Sequence, residues 1–205
     1  MRPALFLAAL APLAGCASLQ PTIITHQTRD WRQVVTRDDR ERLREWRTAW
    51  TRALQAAERG GHSAEVAREG PLLQPDAALP DPALPNGRYR CRTIKIGAKS
   101  EGLLDYVAYP YFTCRVQQER DLQGFAKLTG SQRPVGLIFP QDQLRSVFLG
   151  SLVLGDEARA MQYGADRERD VAAYVERIGP GRWRLVMPYP RFESLVDVIE
   201  LTPAP

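Results

Sequence analysis

The first strong pattern along the chain is helical. From Thr36 onward, Leu43, Trp46, Trp50, Ala53, Leu54 and Ala57 recur mainly at steps of three and four, and Thr36 with Asp39 has the spacing of a capping box. Gly60-Gly61 ends the run, so the spacing predicts one amphipathic helix whose other face carries Arg40, Arg44, Glu45, Arg47, Arg52 and Glu58. A second, short helix is expected between Ser63 as cap and Gly70 as terminator. Because the polar face mixes both signs, Trp46 and Trp50 are expected to pack on the protein's own sheet and not on a membrane or a partner.

Pro71, Pro75, Pro80, Pro82 and Pro85 then forbid regular helix and predict a stiff, extended connector that separates the helices from the rest. From Arg88 the segments are short, β-branched or aromatic, with glycine and proline at intervals of roughly eight to twelve residues, the pattern of an antiparallel barrel or sandwich. Expected strands cover 88–96, 106–116, 124–130, 135–139, 146–154, 158–163, 170–178, 182–188 and 194–201. The clearest hairpin turns at Gly179-Pro180-Gly181, after which Arg182 and Arg184 alternate with Trp183, Leu185 and Met187, predicting one wet face. In the first strand Tyr89, Cys91 and Thr93 share a parity that Ile94 and Ile96 break, which predicts a bulge near Thr93. Val147-Phe148-Leu149 and Leu152-Val153-Leu154 are apolar on both parities, so this strand should lie between the barrel interior and the amphipathic helix with its tryptophans.

The fold class is therefore mainly β: a meandering antiparallel β-barrel of about eight or nine strands with an N-terminal amphipathic helical arm, the alternative being a two-sheet sandwich. The corresponding division is 1–15 signal peptide, 16–35 lipidated tether, 36–70 helical arm, 71–87 Pro-rich connector and 88–203 β-barrel domain.

At 205 residues, with 44% hydrophobic and 25% charged side chains, the composition excludes wholesale disorder, collagen and polytopic membrane spans. The apolar run from Ala4 to Leu13 is too short to cross a bilayer and reads as a secretory signal. It closes on Leu13-Ala14-Gly15-Cys16, which resembles the lipobox at which Gram-negative export machinery attaches lipid and cleaves before the cysteine. Several acyl chains on Cys16, at ~0.8 kcal/mol per buried methylene, would anchor the chain stably to a membrane. Ala17 stands where such lipoproteins carry an inner-membrane retention aspartate, which favours the periplasmic side of the outer membrane.

The net charge of +4 lies among interspersed acids with no long basic run, so nucleic-acid binding is rejected. Lysine is rare, at three against twenty-five arginines. In an oxidising compartment the even pair Cys91 and Cys114 is expected to form a structural disulfide between neighbouring strands; it lacks the companions for a zinc site and the spacing of a redox C-x-x-C.

Histidine occurs only at His26 and His62, outside the β region, so no Ser-His-Asp or Cys-His machine and no histidine-rich metal set can be assembled, and no cofactor is expected. The remaining polar candidates are Arg133 in a glycine-flanked loop, as an anion contact, and Asp156, Glu157, Asp166, Arg169 and Asp170. Those carboxylates are expected to cap turns and form solvated ion pairs; acid/base work or calcium ligation is the bolder alternative.

Several blocks together carry a resemblance: Trp46-Arg47 with Ala49-Trp50, Tyr89-Arg90-Cys91-Arg92 with Cys114-Arg115, Gly130 to Gly136, Leu149-Gly150-Ser151-Leu152 with Gly155-Asp156-Glu157, Tyr163-Gly164 to Asp170, and Arg182-Trp183-Arg184-Leu185. As a set they look like the bacterial domain-of-unknown-function family 4893 over about residues 31 to 202. That resemblance implies a single envelope domain and supplies no catalytic positions. The expected function is a non-catalytic binding or scaffolding lipoprotein for an envelope protein, lipid or polysaccharide. The alternatives are an inhibitor-like barrel, similar to membrane-bound periplasmic lysozyme inhibitors but lacking their Ser-Gly-x-x-Tyr loop, a lipid carrier, and a carboxylate-based hydrolase.

Overall fold

A computed structural model describes Ile24 and residues 28–205. Cys16, the 1–15 segment, His26 and most of the 16–35 tether lie outside the described residues. Among the described residues three α-helices, α1 (Arg37–Arg44), α2 (Trp46–Arg59) and α3 (Ser63–Glu69), precede nine strands. These are β1 (Gly87–Ala98), β2 (Tyr106–Ala108), β3 (Phe112–Glu119), β4 (Leu122–Lys127), β5 (Gln132–Pro140), β6 (Arg145–Leu154), β7 (Asp170–Gly179), β8 (Arg182–Pro188) and β9 (Ser194–Pro203). All neighbours are antiparallel, and pairing of β1 with β9 closes eight strands into a meander barrel, with β2 added on β1.

Alternation along each strand sorts side chains between the interior and an outer layer. Inside, Phe125 and Phe148 meet edge to face at 5.6 Å and Tyr89 meets Trp183 at 6.2 Å, filling one half of the barrel. Two glycines allow this: Gly136 faces Gly150 across β5 and β6, and a Cβ on Gly150 would lie 2.7 Å from the Phe148 ring. The Cys91–Cys114 disulfide joins β1 to β3, with Cα atoms 5.9 Å apart, beside the last β1–β3 pair, Cys91 with Phe112. Beyond that pair β3 leaves β1, and β2 takes its place from Ile94 to Ile96.

The outer face is largely covered. Trp50, Ala53 and Ala57 of α2 pack on Ile94, Ile96, Val186, Val196 and Val198 of β1, β8 and β9. The outer side of β6 is covered differently from the expectation. Val147 and Leu149 lie under Leu43 of α1, Trp31, Val35 and Tyr163, while the Trp50 stripe sits on other strands. Covering two separate parts of a curved wall explains why the expected single helix breaks at Glu45, where ψ is 11° and the backbone N–H turns back to the Glu41 and Leu43 carbonyls.

Four other expectations are corrected. No bulge occurs at Thr93: β1 pairs with β9 in unbroken register from Tyr89 to Ile96, and Ile94 and Ile96 are apolar because they face α2. The β7–β8 hairpin has no wet face, since Arg184 is fully buried under the helical arm. The 158–163 segment is loop, because Tyr163 is drawn to α1, donating its hydroxyl to Asp39 at 2.6 Å and accepting from the Thr36 N–H at 3.2 Å. The Pro-rich stretch is not a spacer: its Leu72 and Leu73 pack under α2, and its Leu84 enters the barrel's filled end.

Candidate functional site

At the end away from Leu84 the barrel holds a cavity of about 150 Å³. A site of this size admits a single-ring organic group. Its apolar wall comes from inward positions of successive strands: Phe112 on β3, Pro134 on β5, Leu152 on β6, Met187 on β8 and Ile199 on β9. Two lysines stand in the same wall, Lys95 on β1 and Lys127 on β4, each at most 6% exposed.

Their environments differ. Lys95 donates to Asp197 at 2.8 Å and lies 3.1 Å from Glu193, while the Ser194 hydroxyl donates to Asp197. Burial alone would lower the Lys95 pKa, but Asp197 and Glu193 outweigh it and hold the ammonium above its ordinary value. Lys127 donates to the Gln132 carbonyl at 2.9 Å and sits 3.8 Å from the centre of the Phe112 ring. Among the described residues no carboxylate pairs with it. Burial, followed by the positive fields of Arg133 and Lys95, pushes its pKa down to about 8.

The rim is built by α1 and the loop before β7. Arg42 pairs with the fully buried Asp39 and donates to the Asp170 carbonyl at 2.9 Å. The Asp170 carboxylate accepts from the Gly164 N–H at 2.8 Å through Oδ1, whereas Oδ2 is buried without a partner among the described residues. Burial raises the Asp170 pKa to about 6.

Of the polar residues singled out in the sequence, Asp170 alone lines this cavity. Arg133 is a loop staple whose guanidinium donates to the carbonyls of Gly130, Gly155 and Glu157 at 2.6–2.8 Å. Glu157 accepts both arms of Arg169 at 2.8 and 2.9 Å and also the Leu154 N–H. Asp166 accepts the Glu168 N–H within its turn, and Asp156 is exposed. These residues organise turns. No three His, Cys, Asp or Glu side chains among the described residues are grouped to hold a metal, and no described helix is long and apolar enough to cross a membrane.

Sequence reasoning missed Lys95, Lys127, Asp197 and Arg42. One signal was present: the chain's three lysines, rare beside its arginines, all fall near this end, with Lys99 donating to the Pro190 carbonyl at the rim. A second was Lys127 itself, two residues after Phe125 and so on the inward parity.

Fold and cavity together define a closed eight-strand meander barrel, filled at one end and bearing a charged, partly apolar cavity at the other. The chain belongs to the family described as Domain of unknown function (DUF4893), whose sequence profile matches residues 31–201. Comparison with curated proteins and with solved structures gives no match.

Proposed function

We propose that this protein is a lipid-anchored, periplasmic binding module, without catalytic action of its own, whose ligand site is the barrel mouth. The observation that carries the reading is the 150 Å³ cavity, where an apolar wall meets buried charge, the usual composition of a small-molecule site. The lipobox ending in Cys16 and the Cys91–Cys114 disulfide support an exported, anchored chain. A lipid-carrier role fits poorly, because the interior below the cavity is occupied by Phe125, Phe148, Tyr89 and Trp183. A carboxylate-based hydrolase fits poorly too: of its four candidates Glu157 and Asp166 are committed to an ion pair and a turn and Asp156 is exposed, which leaves Asp170 in the cavity without a second carboxylate from that set.

The test is a methyl-resolved NMR titration of the full chain with benzyl alcohol, a neutral single-ring probe. Saturable shifts at Met187, Leu152 and Ile199 are expected. Absence of a saturable shift at these methyls overturns the reading.

A further inference from the structure

Four cationic side chains are buried among the described residues: Arg42, Lys95, Lys127 and Arg184. Three have a carboxylate, Arg42 with Asp39, Lys95 with Asp197 and Arg184 with Glu176. Lys127 has none, although it is 4% exposed. An ammonium carries three donors, and here one meets the Gln132 carbonyl while the charge faces the Phe112 ring, so donor capacity remains toward the cavity. Leaving a charge in such surroundings is costly unless it is paired.

From this geometry we infer that Lys127 is the recognition group of the barrel mouth and that the site takes a small carboxylate with an apolar, single-ring-sized body. The inference deepens the reading of the mouth as a ligand site and rests on it. The surroundings hold the ammonium in place. Gly130, at φ +91°, brings the turn after β4 so close that a Cβ would lie 2.7 Å from the Lys127 Nζ and 2.9 Å from the Phe112 ring. The carboxylate would complete at Lys127 the pairing that Asp197 gives Lys95, while Met187, Leu152 and Ile199 would receive the apolar body. Charge number selects the class. One uncompensated cation matches one negative charge, whereas a dianionic phosphate would bring an unpaired charge into an apolar wall. Arg133 adds positive field, but three of its five N–H donors are committed to backbone carbonyls and it does not line the cavity.

The experiment compares benzoate with benzyl alcohol on the full chain at pH 7, following the Lys127 side-chain ε-CH₂ signal and the dissociation constant, in the wild type and in Lys127→Met. The inference expects benzoate to bind at least tenfold tighter than benzyl alcohol, to shift the Lys127 signal, and to lose its advantage over benzyl alcohol in Lys127→Met. Equal affinity of the two probes, or benzoate binding unchanged by Lys127→Met, overturns the carboxylate assignment and leaves the mouth as a neutral-ligand site. Displacement of benzoate by equimolar inorganic phosphate overturns the choice of a carboxylate with an apolar body. If benzyl alcohol also fails to bind the wild type, the underlying reading of the mouth falls with it.

Discussion

The guanidinium of Arg184 on β8 lies 4.6 Å from the centre of the Trp50 ring on α2, and this stack fastens the helical arm to the barrel. Arg184 also pairs with the buried Glu176 and donates to the carbonyls of Pro71, Leu72, Gln74 and Pro75, so one side chain ties α2, the Pro-rich stretch and two strands together. Arg184→Ala leaves the buried Glu176 with Arg145 as its remaining partner and strands several carbonyls, and is expected to cost about 3–5 kcal/mol. Trp50→Ala is expected to cost a similar ~3–5 kcal/mol through the cavity it leaves. Because the two share one contact, denaturant unfolding of the double variant should show less than the sum; strict additivity would mean that the stack contributes nothing.

The disulfide sits where β3 parts from β1, at the root of the mouth. By constraining the unfolded chain over a separation of 23 residues it should contribute about 3 kcal/mol. Cys91→Ser, Cys114→Ser and the double variant should all lower the melting temperature by the same amount. Calorimetry showing a clearly larger loss in the double variant would contradict the pairing.

Lys127 sets the pH behaviour of the mouth. Its pKa of about 8 in the folded chain lies below its ordinary value of 10.5, so between these pH values the unfolded chain holds a proton that the folded one has released. This group's contribution to stability is therefore present above pH 10.5 and is lost as pH falls through 8. Lys127→Met should be more stable than wild type by about 2 kcal/mol at pH 7, after allowance for the lost bond to Gln132. The gain should shrink as pH rises from 8, where the folded chain releases the proton, and vanish above 10.5, where Lys127 is neutral in both states. The charged groups around it are Lys95 and Arg133, with Asp197 and Glu193 bound to Lys95 and holding its ammonium above its ordinary value. Benzoate affinity should hold up to pH 8 and then fall by up to about tenfold per unit. A flat profile from pH 7 to 10 would dissociate Lys127 from anion binding.

The proposed anchor rests on Cys16, outside the described residues. On that proposal Cys16→Ser should move the protein from the membrane pellet to the soluble fraction, because the buried methylenes of the acyl chains are lost. Persistence of the variant in washed membranes would show attachment by other means.

The sequence by itself determined the disulfide and the meander. Each is written in local chemistry: two cysteines in strand-like runs, and turn residues at short intervals between period-two segments. The capping hydroxyl of Thr36, which accepts from the Asp39 N–H at 3.3 Å, is of the same kind. Only the tertiary structure decided which polar residues matter. Arg184 and Lys127 take a face by the alternation of their own strands, but nothing nearby in the chain shows that one is roofed by a helix more than a hundred residues earlier, or that the inward face opens on a cavity at the other. Barrel closure between β1 and β9 brings Asp197 to Lys95 across a separation of 102 residues, and no such partner is brought to Lys127. Burial and charge pairing depend on distances between strands remote in sequence, whereas periodicity reports only which face of its own strand a side chain takes.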